Sequence, residues 1–185
     1  MSLLFTPYSL NSPRGPLELP NRIVVAPMCQ YSASQGEATD WHLMHWGNLL
    51  NSGAGLFIIE ATGVTPEARI TPACLGLWDD RTEAALKDKL TRARKLAPAT
   101  PVFIQLAHAG RKASSATPWD GGQLLALDQG GWETLAPSSI LSSTFSTLIS
   151  GLRLSLGEVS IFPLRFVTYS TLPKLVLVLA KSFCI

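Results

Sequence analysis

Three short apolar runs set the frame of this chain: I-V-V at 23–25, L-F-I-I at 56–59 and V-F-I at 102–104. Their β-branched and aromatic content, without polar alternation, predicts strands covered on both faces, as in a parallel sheet. Between them the period changes. Residues 41–51, W-H-L-M-H-W-G-N-L-L-N, predict a first helix, with Thr39 or Asp40 as N-cap and Gly53 as stop. Residues 82–96 predict a second, because Ala85, Leu86, Leu90 and Ala93 recur at near-helical spacing between Asp79-Asp80 and Pro98. With the strands extended to 55–62 and 101–107, the order is arm, β, α, β, α, β, which implies right-handed crossovers. Residues 3–19, broken by Pro7, Pro13, Gly15 and Pro16, predict a hairpin or an extended arm. On pattern alone, a closed eight-fold barrel and an open doubly wound sheet both remain. The first βα turn has no G-x-G-x-x-G, which counts against a Rossmann dinucleotide site.

Composition narrows the classes. A chain of 185 residues can bury one substantial core. A net charge of +2 with 15% charged residues gives no polyanion-binding surface, so no nucleic-acid partner is expected. Cys29, Cys74 and Cys184 make neither a disulfide framework nor a zinc spacing, which suits a reducing, cytoplasmic compartment. The N-terminus lacks a basic region followed by an apolar one, and no run reaches the ~18 apolar residues of a membrane span. Neither a signal peptide nor a membrane partner is expected. All but one of the 13 acidic residues lie at or before Glu133, whereas 141–185 holds five charged residues among many Ser, Thr and Leu. This break predicts a unit over 1–140 and an atypical tail over 141–185.

Candidate chemistry gathers where the strands run out. After I-V-V, Pro27 stops ladder pairing because it has no N–H to donate. Met28 and Cys29 are soft and polarisable, and Tyr31 is an apolar ring with a polar tip. In a parallel barrel, loops at the C-terminal strand ends carry the chemistry. Glu60 falls at the second strand end, where a buried carboxylate must be paired or protonated; Arg69 or Arg111 is the expected partner. Gln105 falls at the third. Plainer readings exist: Cys29 as a small buried hydrophobe, and Gln105 as an amide bonded to nearby backbone. His42 and His45, three apart on a helix without a third ligand, are expected to be structural. His108, Arg111 and Lys112 stay open between cofactor contacts and ordinary loop roles. Without G-x-S-x-G or a triad, a hydrolase is disfavoured.

Three segments, A-P-M-C-Q-Y, E-A-T-G-V-T-P-E-A-R-I-T-P and I-Q-L-A-H-A-G-R-K-A-S, appear with D-W-H and W-E-T-L-A-P-S-S-I in order. Together they resemble the Old Yellow Enzyme family of FMN-dependent ene-reductases, nearest its cysteine-containing, xenobiotic-reductase-like branch, over about residues 4–140. The resemblance implies the N-terminal portion of a (β/α)8 barrel with a β-hairpin across its N-terminal end. It also implies FMN as cofactor, NAD(P)H as reductant and a small-molecule activated alkene, such as an enone, as substrate. By position, it has Ala26, Pro27, Met28 and Cys29 line the flavin and Ala61 offer a backbone group to the ring carbonyl edge. Gln105 meets the pyrimidine edge, where a carboxamide matches alternating donors and acceptors. Cys29 tunes the flavin's redox behaviour, and Tyr31 helps hold the substrate carbonyl.

The chain also departs from that family. The family's next motif, H-x-A-H-G-Y, supplies the carbonyl-holding histidines and the proton-donating tyrosine, yet the only histidines here are His42, His45 and His108. The later phosphate-binding strands are not recognisable, so no catalytic residue is assigned. These absences predict a truncated N-terminal part, inactive alone, with unpaired strand edges that invite association. In the tail, L-P-K-L-V-L-V-L-A is apolar without a helical pattern, consistent with a shifted reading frame.

Overall fold

The proline-broken arm folds back on itself. Tyr8–Leu10 (β1) and Leu17–Leu19 (β2) pair antiparallel, with Tyr8 opposite Leu19 and Leu10 opposite Leu17. The structure is a computed structural model that describes residues 2–12, 15–97 and 99–135, together with the backbone of 175–178. The expected boundary at 140, most of the tail and Cys184 lie outside the described residues.

Four parallel strands follow the hairpin: Val24–Val25 (β3), Leu56–Gly63 (β4), Val102–Ala107 (β5) and Leu175–Val178 (β6), adjacent in that order. Asp40–Leu50 (α1) connects β3 to β4, and Asp80–Leu96 (α2) connects β4 to β5. The apolar tail stretch without a helical period is therefore a strand. Its register runs from Val102 opposite Leu175 to Gln105 opposite Val178. This corrects the expectation of an open β5 edge; among the described residues, the sheet ends at β3 on one side and at β6 on the other.

Both helices are capped as their sequences predict. The Thr39 main-chain N–H donates to His42 Nδ1 at 3.0 Å at the start of α1. Asp79 Oδ1 accepts the Thr82 N–H at 2.8 Å at the start of α2. Alternation along the strands then builds two apolar layers. Phe57, Ile59, Val102 and Ile104 pack with Trp46 and Leu50 of α1 and Leu86, Leu90 and Ala93 of α2. Leu56 and Phe103, one position out of phase, pack instead on Leu19 of the hairpin. The hairpin thus covers the strand beginnings and leaves the C-terminal strand ends to the loops.

The first strand differs from its expectation. Val24 is 46% exposed and Val25 half-buried, so β3 is not covered on both faces. As an edge strand of two residues it pairs with β4 alone, and alternate residues Val24, Ala26 and Met28 are all exposed.

Candidate functional site

A break in register marks the site. Ile59 stands opposite Ile104 and Thr62 opposite Leu106, so Glu60 and Ala61 together face Gln105 alone. Such a bulge bends the strand and re-aims its side chains. Inside it, Thr62 Oγ1 donates to the Glu60 carbonyl at 2.8 Å. Cys29, arriving from the end of β3, lies near the Ala61 main chain and the Cys74 thiol, and both act on its titration. Cys74, burial and nearby Glu60 all push the Cys29 thiol up from its ordinary range, which keeps it a neutral S–H. Ala61, Gln105 and Cys29 are thus brought together from three strands.

Glu60 is 3% exposed, and its partners are not the arginines expected for it. Its Oε2 accepts the Gln30 main-chain N–H at 2.8 Å, and its Oε1 lies 3.4 Å from His42 Nε2. Because His42 Nδ1 already accepts from Thr39, the neutral ring carries its proton on Nε2, toward the carboxylate. Arg69 is engaged elsewhere. Its guanidinium lies over the rings of Trp78 and Trp132, at 5.3 and 5.0 Å from their centroids. It also donates to the Pro66 and Pro72 carbonyls at 2.9 and 3.0 Å. The physical reason is local: a planar, weakly hydrated cation stacks on the indole faces beside its loop more readily than it enters a closed strand end.

Tyr31 sits in the left-handed region at φ 50, a sparsely populated conformation for a non-glycine residue. Its ring meets Trp119 edge-on at 5.6 Å. Burial, then the neighbouring Cys29, raises its phenol above the usual range, so it remains a donor at neutral pH. Ala26 is exposed, Met28 is 56% exposed and Pro27 is half-buried, which leaves a small apolar face open beside the bulge. His45 is held below its usual pKa by burial, with Glu60 opposing. Among the described residues, no three His, Cys, Asp or Glu side chains gather as a metal site. Nor is any helix among them long and apolar enough to cross a membrane.

Residues 3–130 match the model of the NADH:flavin oxidoreductase / NADH oxidase family. The chain belongs to that family. An NADH:flavin oxidoreductase of Gibberella zeae is 45% identical to it over 140 residues, covering 74% of this chain and 32% of that protein. The chain therefore spans about a third of the length of the curated relative it matches. Morphinone reductase in complex with tetrahydroNAD superimposes with a TM-score of 0.52 at 31% identity, covering 62% of this chain and 29% of that one. The Old Yellow Enzyme homologue from Zymomonas mobilis gives 0.51 at 27% identity, covering 60% and 29%. The hairpin and parallel sheet are accordingly the N-terminal portion of a (β/α)8 barrel of the Old Yellow Enzyme type.

Two neighbours of the site were not legible from the sequence as site residues. Cys74 sits in the long loop after β4, whose two prolines and length already mark it as a functional candidate. Trp119 has no such signal; it reaches Tyr31 through the segment after β5, which pairs with the β4–α2 loop by Ala109 N–H to Ala68 O and Ser115 N–H to Ile70 O, each 2.9 Å.

Proposed function

We propose that this chain supplies the flavin-ring contacts of an FMN-dependent, NAD(P)H-oxidising reductase of activated alkenes such as enones, with 1–140 as its barrel part and 141–185 as a distinct tail. The observation that carries this reading is the β4 bulge, which sets Glu60 and Ala61 against Gln105 with Cys29 near Ala61. The donor set fits a flavin. Gln105 offers a donor and an acceptor side by side, and the bulge interrupts the β4–β5 ladder next to it. Ala26, Pro27, Met28 and Cys29 line the ring, and the exposed Ala26 and Met28 give it an apolar surface. The neutral Cys29 thiol stays a weak donor beside it. Tyr31, protonated at neutral pH, donates to the substrate carbonyl. When bound, the flavin supplies hydride transfer from NAD(P)H to the alkene.

Turnover by residues 1–185 alone is not part of this reading. His42 is committed to Thr39 and Glu60, and His108 Nδ1 accepts the Gly110 N–H at 3.0 Å. Neither stands in for the absent H-x-A-H-G-Y histidines. The test is fluorescence titration of FMN with the purified chain, followed by NAD(P)H oxidation with cyclohexenone. Saturable quenching without enone-dependent oxidation is expected. FMN fluorescence that stays unchanged as folded protein is added overturns the flavin assignment, and enone turnover overturns the assignment of this chain as non-catalytic alone.

A further inference from the structure

Tyr31 is held in its left-handed conformation, φ 50, by ties on both of its neighbours. On one side, the Gln30 N–H donates to Glu60 Oε2 at 2.8 Å, inside the sheet. On the other, the Ser32 carbonyl accepts from Thr39 Oγ1 at 2.9 Å, at the start of α1. A residue in so sparse a region stays there only where its surroundings over-determine it. The Gln30 tie is only as firm as the carboxylate that makes it. A small cavity lined by Ala26, Met28, Trp46 and Phe57 opens beside Glu60, so packing alone does not fix the rotation of that carboxylate. Its Oε1 is buried without a hydrogen-bond partner among the described residues, and so is His42 Nε2, 3.4 Å away. The imidazole, by contrast, is fixed. It is fully buried, its Nδ1 takes the Thr39 N–H at 3.0 Å, and its ring meets Trp46 edge-on at 5.3 Å. With Nδ1 accepting, the proton of the neutral ring lies on Nε2 and faces Oε1. A buried donor and a buried acceptor, each otherwise unpaired, are one another's most favourable partners.

We propose that His42 is a positioning residue for the loop after β3: its Nε2–H orients the Glu60 carboxylate, which holds the Gln30 N–H and so keeps Tyr31 and Cys29 in place. That this loop meets flavin and substrate rests on the function proposed above; that His42 holds it does not. His42 then has two separable jobs, the α1 cap through Nδ1 and the loop through Nε2. Two variants divide them. In His42→Asn, the side-chain oxygen stands near the place of Nδ1 and still accepts from Thr39, but no donor reaches Glu60. In His42→Gln, the amide nitrogen reaches toward the place of Nε2 and still donates to Glu60, but the cap acceptor is lost.

The test measures deuterium uptake of the full chain and its two variants by mass spectrometry, comparing peptides over 26–36 with peptides over 102–107. FMN is then titrated into each by fluorescence. In His42→Asn, the 26–36 segment should exchange roughly tenfold faster or more, the scale of one lost hydrogen bond to a charged group, with 102–107 unchanged. FMN affinity should fall by a similar factor, while His42→Gln should stay near wild type in both readouts. A role in capping alone gives the reverse order, Gln damaged and Asn intact, and overturns the proposal. Equal effects of the two variants overturn it as well, because the donor toward Glu60 then makes no difference. So does a 26–36 segment that exchanges in the wild type as fast as an unstructured peptide, a result that needs no variant to fold. A wild-type chain that binds no FMN while the exchange difference stands removes the flavin reading and leaves His42 as the residue that holds the loop.

Discussion

Glu60 Oε2 accepts the main-chain N–H of Gln30 at 2.8 Å, so a carboxylate on β4 fixes the loop that carries Cys29 and Tyr31. The same carboxylate faces His42 Nε2 at 3.4 Å from its other oxygen. Removing it leaves the Gln30 N–H without its acceptor and takes the carboxylate away from His42 Nε2, which makes no other hydrogen bond. Glu60→Ala should cost about 1–3 kcal/mol in urea unfolding, the range for leaving a buried donor unsatisfied. Glu60→Gln keeps an acceptor for Gln30 and should lose less. Equal losses in the two variants would show that the Gln30 bond contributes nothing.

Two glycines predict opposite signs. A Cβ on Gly76 would run into the Trp78 indole, which packs directly over that position. Gly76→Ala should destabilise by about 1–3 kcal/mol, as overpacking does. Gly47 lies inside α1 with nothing within 4 Å of the added Cβ. Gly47→Ala should stabilise by about 0.5–1 kcal/mol through helix propensity. Paired thermal melts check both, and a shift of the same sign would contradict the packing described for one of them.

Asp79 makes the start of α2 sensitive to acid. Its carboxyl is held below the ordinary range chiefly by the Thr82 N–H, then by the Thr82 hydroxyl. A carboxyl lowered in the folded state adds stability that is complete above the unfolded value and is lost as pH falls through the folded one. Asp79→Ala should therefore lower the melting temperature at pH 7, and the gap to wild type should close as the pH drops below the ordinary Asp range. A gap that stays constant down to acid pH would assign the cap to the hydroxyl of Thr82 rather than to the carboxylate.

The helices, the hairpin and the β4 and β5 strands were legible because each rests on local signals: caps at Thr39 and Asp79, prolines in the arm, and unbroken apolar runs. Three features were not. The bulge at Glu60–Ala61 depends on how β4 meets β5, which no period within 55–62 records. The partner of Glu60 was assigned by charge alone, whereas the closed strand end admits a neutral imidazole and a backbone N–H more readily than a guanidinium. The strand at Leu175–Val178 pairs along the β5 backbone, and main-chain pairing needs only an extended apolar stretch, not a matched side-chain pattern.

The β3 edge predicts association. The described sheet ends at β3 and at β6, and at the β3 end the two-residue strand Val24–Val25 carries unpaired ladder groups beside exposed Val24, Ala26 and Met28. An edge with an adjoining apolar surface is a template for another chain. Residues 1–185 should run above the monomer mass in light scattering at micromolar concentration. Val24→Lys, which places a charge on that edge, should shift the population toward monomer while leaving the far-ultraviolet circular dichroism unchanged. A wild-type chain that stays monomeric would mean the edge is covered.

The last prediction tests Gln105 directly. It is the residue opposite the Glu60–Ala61 bulge, half-buried, where the flavin's pyrimidine edge is proposed to lie. Gln105→Leu keeps the side chain's length and roughly its volume but removes both the donor and the acceptor. A buried polar group left unpaired costs about 1–3 kcal/mol. At about 1.4 kcal/mol per decade, the FMN dissociation constant should rise roughly ten- to a hundredfold. Circular dichroism on the variant separates this effect from unfolding, because Phe103 and Ile104 beside Gln105 keep their buried contacts. An FMN affinity equal to wild type in a folded Gln105→Leu chain would place the pyrimidine edge elsewhere.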